Sequence, residues 1–248
     1  MIEFPFQRDT HYSLGELRKF RTELVRIRKI SQDFSADLRS NDSEISWAKL
    51  WNEELAPLAI LADVLNCDNE DKFKISARAV SGPDAYLVFD SVELPVQITV
   101  SDPEWESGGN GGYTNYLENE VLRGGGVAWG GAGTKKDSGK IVSCPRALNS
   151  HESITACRRG IWNSLERKAG KSKGANLLLV YARGYQIQTI DDGLEFDVEV
   201  VIESFLLQKA QFDFDKIVFV TNDDGLSFEW NRRDEQVWAV GSSPTVER

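Results

Sequence analysis

Asp84 stands at the head of an apolar run, Ala85–Phe89. A polar turn at Asp90-Ser91 separates this run from a second one, Val92–Val100. Two such runs across a short turn read as a β-hairpin. Strand side chains alternate with period two, so Glu93, Gln97 and Thr99 share one face of the second strand. The hairpin can bring Asp84 across the ladder from the Gln97–Thr99 end. A carboxylate gathered with further oxygen donors can hold a hard cation such as Mg²⁺. Structural roles are open to the same residues. Asp84 after Pro83 suits a turn, Gln97 suits hydrogen bonding beneath a sheet, and Glu93 suits a solvent-facing turn position.

Glu54 is a further acid of interest. It falls between Leu50 and Leu58, inside an apolar stripe completed by Leu61 and Leu65 on an expected helix from about Glu44 to Leu65. A carboxylate there is costly to bury without a metal or a partner such as an arginine. Pro57 is expected to kink this helix.

Pro83-Asp84, an apolar strand, a turn and a second strand with a polar cluster resemble the core of the PD-(D/E)xK nuclease superfamily. The resemblance implies a restriction-endonuclease-like α/β fold, a central mixed sheet flanked by helices, and Mg²⁺-dependent (or Mn²⁺-dependent) cleavage of nucleic acid. The family's acidic-x-lysine element falls on Pro95-Val96-Gln97 or Gln97-Ile98-Thr99, which hold neither the acid nor the lysine. The implied metal set is Asp84, Glu54 and Gln97, with Glu93 the fallback acid if the second strand bulges near Pro95. The lysine is expected from the following helix, as Lys168 or Lys171. The alternative is a non-catalytic member of the fold that binds protein or nucleic acid.

The elements that position these residues follow from patterning. Ser13-Leu14-Gly15-Glu16 is a capping-box signature, and Leu17, Phe20, Leu24, Ile27, Phe34 and Leu38 predict a long helix to about Ser40. Its first half is basic, and its apolar stripe needs a partner, which makes it a candidate protein-binding or dimer surface. We therefore expect an N-terminal helical extension over 1–42, an α/β domain over 43–240 and a tail over 241–248. Phe73–Val80 reads as a strand. Residues 102–150 hold 11 of the 20 glycines and read as an insertion with a short helix (Tyr113–Arg123) and strands near Val127–Trp129 and Ile141–Cys144. No phosphate-binding glycine motif fits them.

His151–Lys171 predicts a helix that stops near Gly174. Arg158, Arg159 and Lys171 belong to its basic surface, the candidate nucleic-acid contact. Asn176–Ala182 and Lys216–Val220 read as buried strands, Phe196–Gln211 as a helix, and Leu226–Trp230 as an edge strand.

Composition sets the boundaries. The 248 residues carry a net charge of −10, which argues against binding nucleic acid through bulk charge and leaves only a local basic face. No apolar run is long enough for a membrane span, and the N-terminus lacks a signal-peptide pattern. Three scattered cysteines fit a reduced, cytoplasmic protein better than a disulfide frame. Two histidines argue against histidine-based metal sites and triads.

Overall fold

The structure is a computed structural model that describes residues 3–31, 34, 45–77, 82–89, 91–102, 150–182, 198–208, 212–221, 227–231 and 236–240. In chain order the elements are β1 (His11–Ser13), α1 (Leu14–Ile30) and α2 (Ala48–Leu50), then a π-helical turn (Trp51–Leu55) running into α3 (Ala56–Val64). Next come β2 (Lys72–Ile75), β3 (Ala85–Phe89), β4 (Val92–Ser101) and α4 (Ser150–Lys168). The chain continues through β5 (Leu177–Ala182), α5 (Val198–Gln208), β6 (Lys216–Thr221), β7 (Ser227–Asn231) and β8 (Gln236–Val240).

The strands form one mixed sheet in sequence order, β1 to β8. The first four pair antiparallel, β4, β5 and β6 run parallel, and the last two return antiparallel. Both faces of the central strands are covered, which explains the uninterrupted apolar run of β5. Leu177, Leu179 and Tyr181 enter a core shared with α1 and α3, while Leu178, Val180 and Ala182 enter a second core shared with α4 and α5. The same alternation splits β6 into Val218 and Val220 on one side, Ile217 and Phe219 on the other.

The first segment of the chain is integral to this domain rather than an extension of it. β1 joins the sheet, and Leu14, Leu17, Phe20 and Leu24 of α1 are buried in the first core. Ser13 caps α1 as its sequence requires: its hydroxyl accepts from Glu16 N at 3.2 Å, and Ser13 N donates back to the Glu16 carboxylate at 2.8 Å. The helix ends at Ile30, well short of Ser40. Ile30 is 74% exposed, while Phe34 beyond it is again helical and packs against the same core; residues 32, 33 and 35–40 lie outside the described residues. Ser31 turns extended, and its hydroxyl accepts from Phe34 N instead.

α4 also stops earlier than its sequence suggests, at Lys168 rather than near Gly174. Gly170 supplies the left-handed residue (φ 68°) just past the last turn. The strand expected over Phe73–Val80 is found at Lys72–Ile75, with Ser76 and Ala77 beyond it and 78–80 outside the described residues. β7 lies inside the sheet, not at its edge, because β8 pairs along its outer side. The helix and strands expected within 103–149 fall outside the described residues, as does the 241–248 tail. No helix among the described residues is long and apolar enough to cross a membrane.

Candidate functional site

Hairpin register decides what faces Asp84. Ala85 pairs with Val96, so the next position outward sets Asp84 against Gln97. Ala85 and Leu87 point into the first core, which turns Asp84, Tyr86 and Val88 to the α4 side of the sheet. Gln97, Thr99 and Ser101 are polar yet buried on that same face of β4. Burial of polar side chains is unfavourable unless they are hydrogen-bonded, so the cluster calls for a chemical reason.

Three donors converge on Asp84 Oδ2: the Gln97 amide Nε2, the Ile98 backbone N–H at 2.9 Å and the Lys168 Nζ at 3.0 Å. Among the described residues all hydrogen bonds to this carboxylate fall on Oδ2, which leaves Oδ1 to other partners. An ionised carboxylate only accepts, so the Gln97 amide must turn its nitrogen to Asp84 and its oxygen away. That oxygen is buried with no hydrogen-bond partner among the described residues, and so is the Ser76 hydroxyl.

Lys168 comes from the last turn of α4, which packs over β4. Its side chain is 19% exposed. Burial pushes its ammonium below the ordinary value of 10.5, and the Asp84 charge and hydrogen bond pull it back only in part. Arg167, its neighbour, donates to the Val100 carbonyl at 2.9 Å and ties the end of the helix to the strand carrying Gln97. Lys171 lies beyond the helix end and is exposed, as are Arg158 and Arg159.

Glu54 approaches from the opposite helical layer. It sits in the π-helical turn that directly precedes Pro57. Proline has no N–H for a regular helical bond, and the wider turn takes up the mismatch; such turns recur at functional positions. The extra residue shifts the register, so Trp51 and Leu55 are buried and Leu50 is only partly so. The Glu54 carboxylate is held by Arg8 at 2.6 Å, and the same guanidinium donates to the Ser76 carbonyl at 2.6 Å. Ser76 N in turn donates to the Asp84 carbonyl at 3.1 Å. Glu54 is thus linked to Asp84 through an arginine that sequence patterning did not single out.

Glu93 is not brought to this cluster. It pairs with Val88, four residues along β4 from Gln97, or about 13 Å at the usual strand rise. It is exposed, and His11 lies 3.9 Å away. No bulge at Pro95 corrects this, because Tyr86–Pro95 and Leu87–Leu94 pair in unbroken register. No set of three or more His, Cys, Asp or Glu side chains arranged to hold a metal occurs among the described residues.

The same face of the sheet extends from Asp84 across Tyr86, Lys74 and Lys72, which are only partly buried or exposed. Lys74 Nζ lies 4.5 Å from the centre of the Tyr86 ring. These residues were legible in hindsight as the polar positions of two alternating strands. The thiols take no part: burial raises Cys157 to about 12, and burial with Asp71 raises Cys67 to about 11, so both stay protonated. Cys144 lies outside the described residues. No protein-family model, no curated protein and no solved structure matches this chain.

Proposed function

We propose that the protein is a Mg²⁺-dependent nuclease-like hydrolase of phosphodiester bonds, with a restriction-endonuclease-like fold and an altered second motif. The observation that carries the reading is the meeting of Lys168, Gln97 and Asp84 on one carboxylate oxygen. It supplies from α4 the lysine that β4 lacks. The order of α3, the β3–β4 hairpin, α4, β5, α5 and β6 is also that of the proposed fold.

The residues fit a hard cation at Asp84. Oδ1 is left by donors that all choose Oδ2, and the Gln97 oxygen is buried without a described partner. Asp84 would hold the metal through Oδ1, and Gln97 would join it on turning its amide oxygen toward the cation; Glu54, held by Arg8 through Oε1, is the further acid the fold would offer. When bound, Mg²⁺ would lower the pKa of a water and offset charge on the phosphate. Lys168, with its proton loosened by burial, is placed to orient that water or to take its proton. Ile98 N–H and Gln97 fix the Asp84 rotamer so that Oδ1 keeps one direction. Lys72, Lys74 and Tyr86 offer cations and an aromatic face to a nucleic-acid strand lying along the open sheet.

A second reading, a member of the same fold that binds without cutting, is favoured by one observation. Glu54 already has a cation, Arg8, and glutamine stands where a second acid is expected. Cleavage of single- and double-stranded DNA and RNA in Mg²⁺ or Mn²⁺ separates the two. Metal-dependent cleavage that falls at least ~100-fold in Asp84→Asn and Lys168→Met supports hydrolysis at this site. Cleavage unchanged in both variants places the chemistry elsewhere. No cleavage, with retention of a nucleic acid on native gels, leaves the binding role.

A further inference from the structure

We propose that Ser76 is a further ligand of the Asp84 metal site, its hydroxyl supplying an oxygen from the β2 side of Asp84. The inference rests on the hydrolase reading above and adds a residue to the same site. Register places the two residues together. Ile75 pairs with Ala85, and Ser76 N donates to the Asp84 carbonyl at 3.1 Å. The pairing thus runs one residue past β2 and sets Ser76 beside Asp84. Phe73 and Ile75 enter the first core, so alternation turns Ser76 to the opposite face, with Lys74 and Asp84. Asp84 stands in the middle of the row Ser76, Asp84, Gln97. Side chains directly opposite across an antiparallel pair have Cβ atoms about 5 Å apart. One cation bound at about 2.1 Å to an oxygen on each side spans that gap.

Hydrogen bonding leaves the right carboxylate oxygen on that side. Two of the three donors to Asp84 Oδ2, the Gln97 amide and the Ile98 N–H, belong to β4. Oδ2 is therefore the oxygen turned toward β4, and Oδ1 is left toward Ser76. The backbone around Ser76 is fastened without its side chain. The Ser76 carbonyl accepts from Arg8 at 2.6 Å, Asp9 N donates to the Ile75 carbonyl at 2.7 Å, and the Asp9 carboxylate accepts from Ala77 N at 3.1 Å. Ser76 is 9% exposed, yet its hydroxyl has no hydrogen-bond partner among the described residues. Burying an unpaired hydroxyl is unfavourable, and alanine here would avoid that cost. A hydroxyl oxygen has lone pairs for a hard cation, and beside Oδ1 it makes a two-oxygen edge that does not depend on Gln97 turning its amide. A buried water between Ser76 and Asp84 is the competing occupant.

The test is Mn²⁺ titration by calorimetry on the full chain, comparing wild type, Ser76→Ala, Ser76→Cys and Asp84→Asn, with urea unfolding to confirm that each is folded. The same titrations with Cd²⁺ separate ligation from packing, because a thiolate favours the softer ion. The expected result is Mn²⁺ affinity on the order of tenfold lower in Ser76→Ala, and a Cd²⁺-over-Mn²⁺ preference in Ser76→Cys above that of wild type. If Ser76→Ala does not fold, the preference of Ser76→Cys decides alone. Mn²⁺ bound equally by wild type and Ser76→Ala, but weakened in Asp84→Asn, overturns Ser76 as a ligand, assigns its hydroxyl to water and leaves the hydrolase reading standing. Weaker binding in Ser76→Ala without the changed preference in Ser76→Cys makes Ser76 a packing residue and also overturns ligation. Binding unchanged in Asp84→Asn, or absent from wild type at millimolar metal, overturns both.

Discussion

Removing the Asp84 side chain tests the cluster most directly, because one carboxylate oxygen accepts three donors. In Asp84→Ala the Ile98 N–H and the Gln97 amide lose their acceptor, and Gln97 is only 1% exposed. Each neutral donor left unsatisfied costs about 1–2 kcal/mol. Lys168, at 19% exposure, adds less, since a flexible stem lets the ammonium turn toward water. The sum is about 3 kcal/mol, a large share of the stability of an ordinary domain. For a chain of this size that lowers Tm by about 6–12 °C. Asp84→Asn keeps an oxygen for Ile98 and loses only the charge, so its cost falls to about 1–2 kcal/mol. Urea unfolding at neutral pH, with m-values compared, reads both numbers. An Asp84→Ala protein within about 0.5 kcal/mol of wild type, at unchanged m, would refute the convergence on Oδ2 as a stabilising arrangement.

Two further outcomes follow from the same structure. Lys168 releases its proton more readily folded than unfolded, so in the alkaline range below 10.5 the unfolded chain binds more protons and stability rises with pH. Relative to Lys168→Met, wild type should thus gain stability as pH rises toward 10.5 in urea unfolding; a flat or falling difference contradicts the burial assigned to Lys168. Ser13→Ala should cost about 1 kcal/mol through loss of the α1 cap, and adding Glu16→Ala should cost less than the sum, because the two side chains bond each other's backbone. Full additivity in that pair would mean the reciprocal cap does not form.

Local signals were read from sequence where local chemistry governs. The Ser13–Glu16 cap needs only neighbouring residues, and the hairpin around Asp90-Ser91 needs only alternation and a turn. Errors arose where a distant surface decides. α1 stops at Ile30, where Ser31 turns extended, although Phe34 beyond it packs on the same core. β7 is interior because five residues, Gln236–Val240, pair beside it, too short a run to stand out. The π-helical turn ahead of Pro57 shifts the stripe by a residue, which a regular helical period does not foresee.

Sequence alone determined that Asp84 heads one strand and that Gln97 shares its face, since hairpin register and period-two alternation are properties of contiguous residues. It also determined that β5 and β6 are buried on both sides, because their apolar runs leave no polar face. Tertiary structure alone decided that Lys168 rather than Lys171 reaches Asp84, because α4 ends at Lys168 and the left-handed Gly170 carries Lys171 off the helix. It likewise decided that Glu93 stays about 13 Å away by strand rise, and that Arg8 meets Glu54 across 46 residues of chain. Ion pairs between remote segments leave no periodic trace in a sequence. They depend on how two helical layers meet at the end of one sheet.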